Sequence, residues 1–235
     1  YSAKDGSIRF RSSKDQSLSG EISPSEYLTG GFWTVLDPFL LGRAERVAGE
    51  GSCFWSTLAS IDSDDRYAAI PGEGGEVAVF EMLTQTPTRV IETGFSKATC
   101  VKFSPDGTQI AVTGRPQSHI ELHQWKSLSI APRKLSGHFM EVRSVCYFAD
   151  GKRLVSGSMD GRAILWDTES GLQLHEFVGH RAGINWLSIS ADAQTLATAA
   201  EDMTTKLWHL SLRRELASFS LQGTVRFVEF VNGGE

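Results

Sequence analysis

The sequence predicts an all-β fold built from repeated four-stranded sheets, and three observations support this prediction. The segment that begins at Gly137 is repeated without a gap from Gly179, a spacing of 42 residues (179 − 137). Each copy contains four short stretches of the length that β-strands have. Asp-Gly and glycine-rich turns separate these stretches about every 8–12 residues, a rhythm typical of sandwiches, barrels and propellers.

The two copies agree in register at four polar or aromatic positions. The strands predicted for the first copy are VRSVCYF, KRLVSGS, RAILWD and LQLHEF, with turns at Asp150-Gly151 and Asp160-Gly161. A period of about 40–45 residues with Gly-His near the start and Trp near the end favours a propeller over the other all-β folds. The matched pairs are His138 with His180, Ser156 with Thr198, Asp160 with Asp202, and Trp166 with Trp208.

These motifs resemble those of the WD-repeat β-propeller family. The resemblance rests on Gly137-His138 with Trp166-Asp167, and on Gly179-His180 with Leu207-Trp208. The first copy matches the family pattern fully, whereas His209 stands where the second copy would have its final Asp. The resemblance is strong over residues 137–220 and weaker elsewhere. It implies a ring of four-stranded blades that acts by binding other proteins.

Fainter copies of the pattern occupy the rest of the chain. CVKFSPDGTQIAVTG (residues 100–114) contains a Phe-Ser-Pro-Asp-Gly turn like that of the family, and residues 57–81 have the same rhythm. Residues 2–22 match the second half of a unit, whereas the first strand of the segment 23–51 is missing or badly eroded. The residues at the Trp position of the three fainter copies are Arg11, Phe80 and His123.

The prediction for the whole chain is a single propeller domain, residues 1–235, with about six blades, one of them eroded. GTVRFVEFVNGGE at the carboxyl end reads as a first strand and its turn, so the two ends could share one blade, which would remove open sheet edges. The alternative is a fragment of a longer array, and both interpretations stay open. The predicted blades are 221–235 with 1–22, 23–48 (degenerate), 49–93, 95–136, 137–178 and 179–220.

His138, Ser156 and Asp160 raise the question of a catalytic triad. A nucleophilic serine needs an exposed hydroxyl, but Ser156 falls in a predicted strand and no Gly-x-Ser-x-Gly elbow is present. The pattern also recurs around Thr198. The family resemblance implies instead a structural hydrogen-bond network in each copy, which runs from the Trp indole through the hydroxyl and the His ring to the Asp. We therefore expect no catalytic residue here.

Composition argues against several other classes. The net charge of −5 and the scattered Lys and Arg residues disfavour a nucleic-acid binder, and the longest apolar stretch is too short to cross a bilayer. Cys53, Cys100 and Cys146 are widely spaced, which disfavours a disulfide framework and favours a cytoplasmic, intracellular location. His119 and His123 would lie about 13 Å apart on one strand face, so they are expected to be core or surface histidines rather than metal ligands. No cofactor is predicted.

Protein partners remain as the main functional prediction. In the family, the loops before the first strand and between the second and third strands contact partners, and exposed Met and Trp suit such contacts. Trp186 has a second interpretation, in which it packs between blades. The apolar segment GGFWTVLDPFLLG (30–42) is either core of the eroded blade or a docking surface for another domain. The predicted partner-binding residues are Phe139, Met140, Arg143, Met159, Arg181, Asn185, Trp186, Glu201 and Met203.

The predicted function is a non-catalytic scaffold for another protein or another domain of the same protein. Because a fold does not name its function, two other classes were weighed. A propeller enzyme would need acidic or His residues that converge at the central channel. A phospholipid or nucleic-acid reader would need a basic patch.

Overall fold

The computed structural model describes residues 8–11, 18–22, 59–72, 74–84, 86–127 and 129–230, with only the backbone described for the first two ranges. These residues form β-strands, turns and loops, with no helix among them. They contain four four-stranded antiparallel sheets and one two-stranded hairpin. In each four-stranded sheet the strands are neighbours in chain order, as expected for propeller blades.

The strand bounds are as follows. The amino-terminal hairpin pairs β1 (Ile8–Arg11) with β2 (Leu18–Ile22). Sheet 1 contains β3 (Ser60–Ile61), β4 (Tyr67–Pro71), β5 (Val77–Glu81) and β6 (Thr86–Ile91). Sheet 2 contains β7 (Lys97–Phe103), β8 (Ile110–Arg115), β9 (Ile120–His123) and β10 (Arg133–Leu135). Sheet 3 contains β11 (Val142–Tyr147), β12 (Arg153–Ser158), β13 (Arg162–Asp167) and β14 (Gln173–Val178). Sheet 4 contains β15 (Ile184–Ile189), β16 (Thr195–Ala200), β17 (Thr204–His209) and β18 (Arg214–Ser220).

The hydrophobic core lies mainly between neighbouring sheets. Because strand side chains alternate between two faces, each inner sheet packs one face on the preceding sheet and the other on the following one. One cluster joins sheets 1 and 2 around Trp125, a second joins sheets 2 and 3 around Trp166, and a third joins sheets 3 and 4 around Trp208. This two-sided burial explains why the strands read as almost continuous apolar runs.

The outward face of sheet 4 is not covered by any of the described residues in the way that sheet 3 is covered by sheet 4. Phe177 on β14 is 2% exposed and contacts Trp208, with ring centroids 5.7 Å apart. Phe219, which occupies the same position 42 residues later on β18 (219 − 177), is 52% exposed. Sheet 4 therefore presents an apolar face like the one that sheet 3 packs against sheet 4, but none of the described sheets packs on it.

The prediction of a first strand near the carboxyl end is wrong for residues 221–230, which form no strand in the structure. The segment nevertheless runs along sheet 4, because the Val225 N–H donates to the Ala200 carbonyl (3.1 Å) and the Phe230 N–H donates to Ser188 Oγ (3.2 Å). It lies where the first strand of a following sheet would begin. The physical reason is that a strand needs a partner ladder, and no described strand pairs with this segment.

The amino-terminal hairpin has the pairing irregularity of the third and fourth strands of a sheet. Its register shifts between Phe10 and Arg11. The corresponding shifts in three sheets lie between Val79 and Phe80, Leu165 and Trp166, and Leu207 and Trp208. Arg11 thus holds the Trp position, in keeping with the pattern in the sequence. The eroded blade (23–48), the segment 30–42 and Cys53 lie outside the described residues.

Candidate functional site

The Trp166 network joins all four residues that the sequence singled out in sheet 3. The Trp166 indole N–H donates to Ser156 Oγ (2.8 Å), and the Ser156 hydroxyl donates to His138 Nε2 (2.8 Å). The His138 Nδ1–H donates to Asp160 Oδ2 (2.9 Å), which also accepts the Phe139 N–H (3.0 Å). Every polar group is thereby satisfied, as burial demands.

The Trp208 network repeats this arrangement in sheet 4. Trp208 Nε1 lies 2.9 Å from Thr198 Oγ1, which lies 2.7 Å from His180 Nε2. His180 Nδ1 lies 2.9 Å from Asp202 Oδ2, which also accepts the Arg181 N–H at 2.8 Å. The two networks are built on the same elements: the His precedes the first strand, the hydroxyl lies on the second, the Asp begins the following turn, and the Trp lies on the third.

The two Asp carboxyl groups are held in their ionised form. Burial alone would raise the pKa of Asp160, but hydrogen bonds from His138 and the Phe139 N–H, an electrostatic interaction with His138 and a hydrogen bond from Arg162 lower it well below its usual range. For Asp202, hydrogen bonds from Thr204, the Arg181 N–H and His180 outweigh burial and lower the pKa to about 2. Burial lowers the pKa of His180, which favours its neutral form despite Asp202.

The connectivity Asp160–His138–Ser156 is that of a hydrolase triad, yet its surroundings prevent catalysis. Ser156 is 0% exposed, so a substrate cannot reach its hydroxyl. The oxygen of this hydroxyl also accepts the Trp166 N–H, which occupies one of its two lone pairs and holds it inside the sheet. The arrangement is therefore suited to joining two strands, the loop before the first strand and the turn between the second and third, and its repetition around Thr198 fits that use.

Sheet 2 carries a different buried network, which the sequence reasoning missed. Glu121 is almost fully buried, and its carboxylate receives His119 Nε2 (3.3 Å), His123 Nε2 (3.0 Å) and the Gly94 N–H (3.1 Å). The Lys134 ammonium lies 3.4 Å away. The pattern His-x-Glu-x-His was the available signal, because alternate residues of a strand share a face. His119 and His123, which were expected to be core or surface histidines, are thus both partners of one buried carboxylate.

The Glu121 network is expected to give sheet 2 an acid-sensitive stability. Burial would raise the pKa of Glu121, but hydrogen bonds from His123, the Gly94 N–H and His119 lower it to about 2. A lowered carboxyl pKa stabilises the fold above the unfolded-state pKa of about 4.3, and this contribution fades as the pH falls toward 2. Urea unfolding of Glu121→Gln should show a loss of about 2 kcal/mol at pH 7 that shrinks below pH 4.

The exposed Glu92 provides the control for that experiment. Glu92→Gln should change the free energy of unfolding by less than about 0.5 kcal/mol, both at pH 7 and at pH 3. A difference between wild type and Glu121→Gln that stays constant from pH 7 to pH 3 would contradict the carboxylate's role.

The predicted partner-binding residues separate into two groups in the structure. Phe139 and Arg181 precede first strands, Met203 lies in the turn between β16 and β17, and all three are exposed, as is Met140. Met159, in the corresponding turn of sheet 3, is half-buried. These five residues remain open to contact from outside the chain.

The other four predicted residues contact neighbouring residues within the protein. Arg143, Asn185 and Trp186 lie in first strands rather than in loops, whereas Glu201 lies in the predicted turn. Arg143 donates to both Asn185 and Glu201 (Nη1 to Oε1, 2.6 Å), and the Asn185 amide donates to the Val225 carbonyl (2.9 Å). Trp186 lies in β15, is 9% exposed and packs 5.0 Å from the Phe227 ring. Its interpretation as a packed residue is the one that the structure supports. Side chains of first strands face neighbouring elements, and the sequence did not reveal which ones.

The structure gives few further candidates for chemistry. No group of three or more His, Cys, Asp or Glu residues in the described part of the chain is arranged to hold a metal ion. Cys100 and Cys146 are free, and burial raises the pKa of both thiols. No described helix is long and apolar enough to cross a membrane.

Comparisons with known proteins agree with this architecture. The family model described as "WD domain, G-beta repeat" matches residues 131–167 and 171–209. Each match begins at the fourth strand of one sheet (β10 or β14) and ends with the third strand of the next (β13 or β17). A sequence repeat therefore bridges two sheets, and this offset links neighbouring sheets covalently.

Three relatives illustrate the similarity. Eukaryotic translation initiation factor 3 subunit I of Drosophila grimshawi is 31% identical over 103 residues, which cover 44% of this chain and 32% of that protein. Guanine nucleotide-binding protein G(I)/G(S)/G(T) subunit beta-1 of Homarus americanus is 29% identical over 142 residues, with coverages of 60% and 42%. E3 ubiquitin-protein ligase COP1 of Arabidopsis thaliana is 27% identical over 119 residues, with coverages of 51% and 18%. The chain spans less than half the length of each of these relatives.

Proposed function

This chain is a WD-repeat protein, and on that premise we propose that it is a non-catalytic scaffold that binds other proteins. The observation that carries the proposal is the buried state of Ser156, since the arrangement that most resembles a catalytic site is closed to substrate and used for structure. Two of the relatives are named as subunits, of a translation initiation factor and of a guanine nucleotide-binding protein. Assembly with other chains is the use that these names suggest here.

The surface proposed for partners is the end of the sheets that carries Phe139, Met140, Arg181 and Met203. These residues belong to loops before first strands or to turns between second and third strands. Both kinds of connection lie at the same end of an antiparallel meander, because successive connections alternate between its ends. Exposed Phe and Met side chains there supply apolar contact area that the chain itself does not bury.

Affinity purification of the tagged full chain from cells tests this function. The double variant Phe139→Asp/Met203→Asp should reduce at least one co-purified protein tenfold or more, because charged side chains replace apolar contacts. The matched control Leu83→Asp/Leu172→Asp changes exposed leucines in turns between third and fourth strands, at the opposite end of the sheets. We expect it to leave recovery unchanged. Recovery of no protein above background, or equal recovery with all variants, would contradict the proposal.

A cytoplasmic location is also part of this proposal. It is supported by the two free thiols of Cys100 and Cys146, since a reducing compartment keeps cysteines in that state. Microscopy of the full chain with a fluorescent tag tests it, and accumulation in the secretory pathway would contradict it.

A further inference from the structure

A continuous set of hydrogen bonds and close contacts connects the exposed loops of sheets 3 and 4. The Ser158 hydroxyl donates to the Met140 carbonyl (3.0 Å), and the Met159 N–H donates to the Glu141 carbonyl (2.9 Å). Gly183 lies against the Met159 backbone, and its carbonyl accepts the Glu201 N–H (2.8 Å). These steps bring the loop at Phe139 next to the turn at Met159, and that turn next to sheet 4.

The same path continues to the carboxyl-terminal segment and carries apolar side chains throughout. The Leu221 N–H donates to the Met203 carbonyl (2.8 Å). Phe139 is 80% exposed, and Met140, Met203 and Leu221 are each about half exposed (48%, 50% and 51%). We call these residues the methionine surface: Phe139, Met140, Met159, Met203 and Leu221.

The methionines of the chain are concentrated on this surface. Three of its four methionines lie there, and the fourth, Met82, is buried in sheet 1. Met is unbranched and polarisable, and it adapts to irregular apolar partners. A group of two exposed Met, one half-buried Met and an exposed Phe is therefore more suited to contact with another molecule than to solvent.

Met203 adopts a backbone conformation that favours glycine. It takes the position that Gly161 holds in sheet 3 (203 − 161 = 42), and both residues have a positive φ, 63° and 79°. That region is favourable for glycine and strained for a residue with a Cβ. A strained non-glycine residue at an exposed turn points to use of its side chain rather than of its backbone.

Phe139 is held in a fixed position. Its N–H donates to Asp160, and the Arg162 guanidinium lies 4.1 Å from the centre of its ring. The Trp166 network thus fixes the loop that presents the most exposed apolar residue of the surface. A side chain that is already ordered loses less conformational entropy on binding.

The acidic groups around the methionine surface are paired, whereas one basic group has no partner among the described residues. Glu141 is paired with Arg115 (2.8 Å) and Glu201 with Arg143, while Asp160 and Asp202 are bonded within the two networks. Arg181 is exposed, and its guanidinium has no hydrogen-bond or ion-pair partner in the described part of the chain. The surface therefore offers one uncompensated positive charge beside apolar side chains.

We propose that the methionine surface binds a short peptide segment of a partner protein whose apolar residues flank a carboxylate, with the carboxylate paired to Arg181. This proposal rests on the proposed scaffold function and adds to it the chemistry of the partner. The apolar residues of the segment contact Phe139, Met140 and Met203. The pairing with Arg181 sets the direction of the segment along the surface.

Selection of a random peptide library displayed on phage against the purified full chain tests the proposal. Selected peptides should carry two or more large apolar residues with an Asp or Glu close by. Arg181→Glu should shift the selected sequences from acidic to basic, and Met140→Glu should weaken a synthetic selected peptide at least tenfold. The control Leu172→Glu alters an exposed leucine at the opposite end of sheet 3 and should leave its affinity unchanged.

Met203→Gly separates binding from folding. Because glycine tolerates the left-handed backbone, the variant should keep or raise the Tm while it weakens the peptide at least fivefold. Ala193→Gly is its matched control, since Ala193 also has a positive φ (55°) but lies in the turn between β15 and β16, at the other end of sheet 4. It should leave the peptide affinity unchanged.

The possible results have distinct meanings. Peptides whose binding is insensitive to Met140→Glu and Arg181→Glu, or a library that yields no common pattern, would overturn the proposal for this surface. So would self-association of the chain that these two variants abolish, because the occupant would then be a second copy. Cellular partners that are still recovered in any of these cases would leave the scaffold function standing.

Discussion

Asp160→Ala is expected to lower the free energy of unfolding by about 3–5 kcal/mol, because it leaves buried donors without their acceptor. The His138 Nδ1–H, the Phe139 N–H and the Arg162 guanidinium all lose the carboxylate. Trp166→Phe should cost about 2–4 kcal/mol, since it removes the indole N–H that Ser156 accepts and leaves a space between sheets 2 and 3. Urea unfolding at pH 7, followed by circular dichroism, measures both effects.

The control for these variants is Phe80→Leu in sheet 1. Phe80 occupies the Trp position there and is buried, but its ring has no N–H with which to join a hydroxyl–His–Asp chain. A change of one apolar side chain for another of similar size should cost less than about 1.5 kcal/mol. Equal losses for Phe80→Leu and Asp160→Ala would mean that the network adds nothing beyond ordinary packing.

Phe219→Ala separates the two interpretations of the chain ends: a blade shared by them would cover this residue, and its loss would then lower the free energy of unfolding by about 2–4 kcal/mol. Three observations support that expectation. Phe219 repeats the position of the buried Phe177, residues 221–230 lie where the first strand of a further sheet would begin, and the amino-terminal hairpin has the register of third and fourth strands.

Two reference variants make the Phe219 experiment decisive. Phe177→Ala removes the matching residue between sheets 3 and 4 and should cost about 3–5 kcal/mol. Leu212→Ala changes an exposed residue in the turn between β17 and β18 and should cost less than about 0.5 kcal/mol. A Phe219→Ala variant that behaves like Leu212→Ala would show that the face is uncovered, and the open-array interpretation would then stand.

The strands and turns of sheets 3 and 4 could be predicted closely from the sequence. The stretches VRSVCYF, KRLVSGS, RAILWD and LQLHEF correspond to β11, β12, β13 and β14. The reason is that pairing within a sheet is local: each strand bonds to the next one in the chain, so strand length and turn chemistry fix the order. The carboxyl-terminal segment failed as a strand because its partner is not local.

The Trp166 and Trp208 networks were foreseen as sets of residues because each set lies within one repeat. A period of 42 residues aligns the two sets, and the donor and acceptor groups of the aligned residues indicate how they bond to one another. The Glu121 network was not foreseen, because Glu121 takes the position of the apolar Ile164 in sheet 3, so the repeat gave no reason to single it out. A repeat identifies the residues that its copies have in common. It gives no information about a residue that differs from the common pattern in one copy only.

The sequence by itself determined the all-β class, the four-strand unit and the residues of the two networks, since all of these depend on contacts within about forty residues. Only the tertiary structure decided that Arg143 joins Asn185, that Trp186 packs on Phe227, and that Met140, Met159 and Met203 follow one continuous surface. These relations join one sheet to the next or to the carboxyl-terminal segment. They depend on how one twisted sheet stacks on the next, and side-chain alternation within a strand does not specify which neighbour a face will meet.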